Sequence, residues 1–132
     1  MGLSEEERKS LVDYRLQKAK ETIAEISILI ENKMWRNAAN RLYYACFYAA
    51  SALLINDSRQ IRTHNGVKSV LSLYNKENKI DKSLIKIYGR LFNMRQRGDY
   101  EDWVIIEDDD ITPLLEPAEK FIAEIENLIN SN

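Results

Sequence analysis

The chain has 132 residues, 45% of them hydrophobic, which is enough apolar mass for one buried core in a single domain spanning residues 1–132. Nineteen basic residues against twenty-one acidic ones give a net charge of −2. That balance excludes attraction of the whole surface to nucleic acid or anionic membrane, so a phosphate partner needs a local basic patch or an oligomer's combined surface. One Cys and one His exclude an internal disulfide, a cysteine-built zinc site and a His-rich metal site.

No apolar run approaches the roughly 18–20 residues that span a bilayer. Met1 to Glu7 carries no positively charged and apolar leader pattern. A cytoplasmic location without membrane association is the expectation.

Ser4 followed by Glu7 has the form of a capping box. After it Val12, Leu16, Ala19, Ile23, Ile26 and Ile30 alternate spacings of four and three, which predicts a bundle helix running to about Asn32. Trp35, Ala39, Leu42, Cys46, Ala49 and Leu53 repeat that rhythm, with Tyr43, Phe47, Ala50 and Leu54 alongside. So wide an apolar face predicts a central helix touching several others and ending at Asn56-Asp57-Ser58.

Thr63 is placed to cap a short helix carrying Val67, Val70, Leu71 and Tyr74. Asp81 is placed to cap another, from Lys82 to about Asp102. Glu107 to Asp110 reads as an acidic loop, and Thr112-Pro113 as the cap and first turn of a last helix carrying Leu115, Ala118, Ile122, Ile125 and Ile129. No stretch shows sustained period-two alternation. The prediction is an all-α antiparallel bundle of four long helices and one short one.

Within the helix from Lys82, Ile85, Tyr88 and Phe92 mark the buried stripe, and the same rhythm then delivers Arg95 and Asp99. Charges at core-facing positions mark either a functional site or a structural ion pair. At i, i+4 the two can pair, so Asp99 either orients Arg95 toward a phosphate or locks two helices together. Arg97, Arg90 and Lys86 add positive charge, which a solvated face also explains. Gly98 costs that helix about 1 kcal/mol relative to Ala, which is tolerable if another backbone approaches closely there.

Asn40-Arg41 followed by Tyr43, Tyr44 and Tyr48 interleaves aromatics with a cation. Such residues either stack nucleobases or sit at the edge of a bundle core. His64, at a helix start, is a candidate general base or anion ligand, and equally a structural residue. Cys46 reads as a small core residue, and its pairing with His64 as a nucleophile would still need an orienting third group. No phosphate-cradling glycine loop, nucleophile elbow or zinc signature is present, and neither a metal nor a cofactor is expected.

Three stretches together resemble the HEPN family (higher eukaryotes and prokaryotes nucleotide-binding) in its small stand-alone bacterial form. They are Asn40-Arg41-Leu42-Tyr43-Tyr44-Ala45 with Phe47 and Ala50, then Arg62-Thr63-His64-Asn65-Gly66, then Leu91-Phe92-Asn93-Met94-Arg95 through Asp99-Tyr100. The resemblance implies a helical bundle, commonly a homodimer with its arginine-bearing helices at a shared cleft. Many members are metal-independent ribonucleases in which an Arg and a His, four to six residues later, act on the 2′-hydroxyl and phosphate. Others bind nucleotides, or form the toxin half of a pair with a minimal nucleotidyltransferase.

Arg95 matches the family's arginine, but residues 96–103 contain no His, and Tyr100 stands about where it belongs. A tyrosine with a pKa near 10 is a poor base at neutral pH, which leaves His64 as the alternative imidazole. The expected site therefore has Arg95, Tyr100 and His64 as catalytic candidates, with Asp99, Arg97 and Tyr44 binding substrate. Its ligand would be RNA or a nucleotide phosphate, in a toxin-type or degenerate ribonuclease. The alternative is a non-catalytic dimeric module whose partner is a minimal nucleotidyltransferase.

Overall fold

A computed structural model describes residues 2–60 and 63–131. The helices are α1 (Glu5–Ala24), α2 (Ile26–Glu31), α3 (Trp35–Asn56), α4 (His64–Lys76), α5 (Lys82–Tyr100) and α6 (Asp108–Asn130). There is no strand among the described residues. The fold is an all-α bundle, as the apolar periodicity requires.

The predicted first helix is divided at Glu25, whose φ of −76° and ψ of −17° keep α1 and α2 nearly continuous. One turn before it, Thr22 Oγ1 donates to Lys18 O at 2.7 Å. Such bonds to the i−4 carbonyl open the outer side of a helix and bend it. The capping box at Ser4 and Glu7 forms as predicted, at 3.0 and 3.1 Å.

Central α3 contacts every other helix. Its Ala38, Ala39, Ala45, Ala49, Ala50 and Ala52 are all buried, and small side chains let neighbouring backbones approach closely. Leu42, Tyr43, Leu53 and Leu54 fill the remaining space against Tyr88, Leu91, Ile111, Phe121 and Ile125. α3 ends in a Schellman turn: Ser58 takes φ 59°, Ser58 N donates to Ile55 O, and Arg59 N to Leu54 O at 2.8 Å.

Two boundaries near the C-terminus differ from expectation. Glu107 to Asp110 is no loop: Glu107 is the N-cap, Asp108 to Asp110 form the first turn of α6, and Pro113 and Pro117 lie inside that helix. Glu107 N donates to Asp110 Oδ2 at 3.0 Å, and three acidic side chains sit at the positive end of the helix dipole. The prolines keep to the outer side, away from buried Ile111, Leu114 and Ala118, where a lost backbone bond is met by water.

The α5–α6 connection is held down by Arg36 of α3, which donates from Nη1 to Gly98 O and from Nη2 to Val104 O at 2.6 Å. A Cβ on Gly98 would stand 3.0 Å from Ile106 Cδ1. The close neighbour there is a side chain closing over the end of α5.

Candidate functional site

Arg95 leaves the stripe of Leu84, Tyr88, Leu91 and Phe92 at the edge of the core, with 14% of its side chain exposed. Its Nε is 3.0 Å from Asp99 Oδ2. That N–H is buried and makes no hydrogen bond, so the contact is coulombic. Nη2 donates to the Tyr44 hydroxyl at 3.1 Å. The guanidinium lies 5.6 Å from the Tyr43 ring centre and 5.3 Å from that of Tyr44, and Arg41 approaches Tyr44 at 5.6 Å. Tyr44 thus contacts two cations from two helices, which holds both near the aromatic surface.

The second of the three stretches, Arg62 to Gly66, places His64 beside this group. Thr63 caps α4, its Oγ1 accepting from Gly66 N at 2.8 Å. A Cβ on Gly66 would sit 3.1 Å from that oxygen, so the glycine lets the cap close. His64, in the first turn, lies 4.4 Å from Phe47 between ring centres, with the Tyr44 ring edge-on at 6.0 Å. Arg62 of the same motif lies outside the described residues.

A buried hydroxyl chain fixes the imidazole. Tyr88 donates to the Tyr43 hydroxyl at 3.4 Å, and the Tyr43 oxygen stands 2.5 Å from His64 Nδ1. Burial holds the Tyr43 proton on and raises its pKa. Having accepted from Tyr88, Tyr43 donates to Nδ1, which leaves the N–H of neutral His64 on Nε2. Burial, and then the Arg95 cation, lower the His64 pKa. Neutral His64 and Arg95 therefore both offer N–H donors, which suits an anion better than proton abstraction.

The structure brings Arg95, Asp99, Tyr44 and His64 together. Tyr100 and Arg97 are placed elsewhere. Tyr100 follows Arg95 by about 140° around the helix and is 75% exposed. Arg97 pairs with Glu101 at 3.5 Å and lines a groove with Arg90, Met94 and Ile105. Cys46 is buried with its Sγ 4.0 Å from Ala118 O, and burial pushes its thiol pKa far up, which suits a core residue better than a nucleophile.

Two residues of the group, Tyr43 and Phe47, were not among the expected site residues. The signal for them was their spacing, one turn apart beside Tyr44 and Tyr48 on α3. No cluster of three or more His, Cys, Asp or Glu able to hold a metal occurs among the described residues. Nor is any described helix long and apolar enough to cross a membrane.

The HEPN domain model matches residues 12–128. The chain belongs to the HEPN family. A "UPF0332 protein" of Thermotoga maritima is 35% identical over 127 residues, covering 93% of this chain and 94% of that one. A protein of Methanocaldococcus jannaschii named "Putative toxin MJ0605" is 33% identical over 117 residues, covering 85% and 78%. A second protein of that organism, "Putative toxin MJ0142", is 27% identical over 119 residues, covering 89% and 81%. The matched HEPN span includes the whole Arg95, Tyr44 and His64 group.

Proposed function

We propose that this HEPN protein binds RNA or a nucleotide phosphate at Arg95, with His64 and Tyr44 as co-ligands and Asp99 positioning the guanidinium. The observation that carries this reading is the convergence of a charged donor from α5 and an oriented imidazole from α4 on one aromatic surface. Arg95 supplies the charge, His64 the second N–H, and Tyr44 a hydroxyl and a ring face. The two relatives named as toxins support a toxin-type role.

The resting tautomer of His64 favours binding over cleavage, because a base at Nε2 must first lose its proton. Ribonuclease activity would therefore need His64 to exchange its Tyr43 bond for another partner. Titration of fluorescent single-stranded RNA, with a parallel cleavage assay, tests the reading. Arg95→Ala should abolish binding while the helical circular dichroism persists. Unchanged affinity in Arg95→Ala would refute the site.

A second reading, favoured by a separate observation, makes this face or the α5–α6 connection a protein interface. Tyr100, Trp103 and Ile105 are 75%, 86% and 78% exposed within a six-residue stretch. Clustered exposed apolar side chains suit a protein partner. In this reading the protein is a homodimeric, non-catalytic module that pairs with a minimal nucleotidyltransferase. Trp103→Ala should then weaken a purified complex of the two proteins and leave RNA affinity unaltered.

A further inference from the structure

Phe47 has a second neighbourhood besides its contact with His64. With Arg15, Ser51, Ile55 and Arg59 it lines an open-sided cavity of about 300 Å³ between α1, α3 and the turn after α3. That volume is at the lower end of the roughly 300–1,000 Å³ range of small-ligand sites.

The chemistry of the lining is one-sided. Arg15 contributes a guanidinium whose Nε is buried and makes no hydrogen bond within the protein. Arg59 enters from the Schellman turn, its guanidinium 4.6 Å from the Tyr74 ring centre. Glu77 Oε1 stands 3.5 Å from Arg59 Nη2 and offsets part of its charge, but among the described residues no carboxylate lines the cavity itself. Lys18 adds a cation nearby, 5.0 Å from the Tyr48 ring centre. The Ser51 hydroxyl donates to Tyr48 O, so it is an acceptor and not a free donor toward the cavity. Phe47 and Ile55 supply the apolar floor.

Two cations over an apolar floor match a phosphodiester with its sugar or base edge against the ring. Phe47 joins this cavity to the site described above, since its ring also lies 4.4 Å from that of His64 and 6.1 Å from that of Tyr44. Tyr44, Phe47, Tyr48 and His64 form one half-exposed aromatic surface, with Arg95 at one part of it and Arg15 and Arg59 at another.

We propose that the Arg15–Arg59 cavity is a second anion subsite that takes one phosphate of a single-stranded oligonucleotide while another of its phosphates lies at Arg95. This rests on the reading of Arg95 as a phosphate ligand. It makes the ligand an oligomer and not a mononucleotide, with Phe47 between the two phosphate positions.

The test uses the full chain, a fluorescent oligouridylate of about eight nucleotides, within the ~4–16-nucleotide footprint of single-strand sites, and the dinucleotide UpU. Arg15→Gln keeps most of the side-chain stem, and Arg59→Gln serves as the second variant. Each should weaken the oligomer roughly tenfold, the size of one charge-assisted contact. Each should also reduce the slope of log K against log salt by about 0.7, with UpU binding unaltered. Arg95→Ala should weaken both probes. Loss of both probes in Arg95→Ala with no change in either glutamine variant overturns the subsite and leaves the Arg95 site standing. Equal loss of UpU and oligomer in the glutamine variants also overturns it. If Arg95→Ala changes neither probe, the Arg95 reading fails, and with it the two-phosphate arrangement.

Discussion

Replacing Tyr43 by Phe removes one oxygen from the middle of the bundle and leaves the ring in place. Tyr43 and Tyr88 are both 0% exposed, so the Tyr88 hydroxyl would lose its acceptor where water does not reach. An orphaned buried hydroxyl costs about 1–3 kcal/mol, and the 3.4 Å separation is long for a hydroxyl pair, which places the loss near 1 kcal/mol. His64 is only half-buried, so Nδ1 can turn to solvent and adds little to that cost. Unfolding entropy of about 2.1 cal/mol/K per residue gives about 280 cal/mol/K for 132 residues. A loss of about 1 kcal/mol then lowers Tm by about 3–4 °C. Calorimetry at pH 7 on Tyr43→Phe, Tyr88→Phe and the double variant measures this. The double variant should lose less than the two single losses together, because no orphan hydroxyl is left. A Tyr43→Phe protein that melts with the parent, together with additive single effects, would refute the hydroxyl chain and the tautomer derived from it.

His64 should titrate below the ordinary histidine pKa of about 6.5, and its single set of NMR signals makes the measurement unambiguous. Arg95→Ala should raise that pKa, and a fall would contradict the assigned electrostatics. Between the unfolded and folded pKa values the unfolded chain binds more protons, so the His64 contribution to stability is present above about pH 6.5 and is lost as pH falls. His64→Gln should flatten that part of the stability profile. Arg36→Ala should release the Gly98 and Val104 carbonyls and speed hydrogen exchange across Glu101 to Ile106, with global stability falling by about 1–2 kcal/mol. Unchanged exchange there would show that the connection holds without the clamp.

The apolar rhythm made the bundle legible because helix packing is a near-local consequence of spacing. Ser4, Thr63 and Asp81 were readable as caps for the same reason, each bonding within three residues of itself. The start of α6 was misread because Pro113 resembles a first-turn proline. Asp108 to Asp110 could equally be loop or first turn until Ile111 was seen to be buried. The break at Glu25 was not legible, since the apolar spacing of Ile23, Ile26 and Ile30 runs through it.

The site divides in the same way. Arg95 announced itself by carrying charge into an apolar stripe, and Asp99 followed from i, i+4 spacing. Which tyrosine accompanied Arg95 needed the third dimension. Tyr43 and Tyr44 differ by about 100° on α3, and packing of neighbouring helices sends the first inward and leaves the second at the edge. Tyr100 stands about where the family resemblance expects a histidine, and five residues of helix set it about 140° round from Arg95. The imidazole came from another helix, through a contact that no local pattern encodes. Residues 96–103 hold no His, while the neighbourhood of Arg95 holds one, at His64. Tyr43 ties this imidazole to the core, so it meets the aromatic surface as an oriented donor.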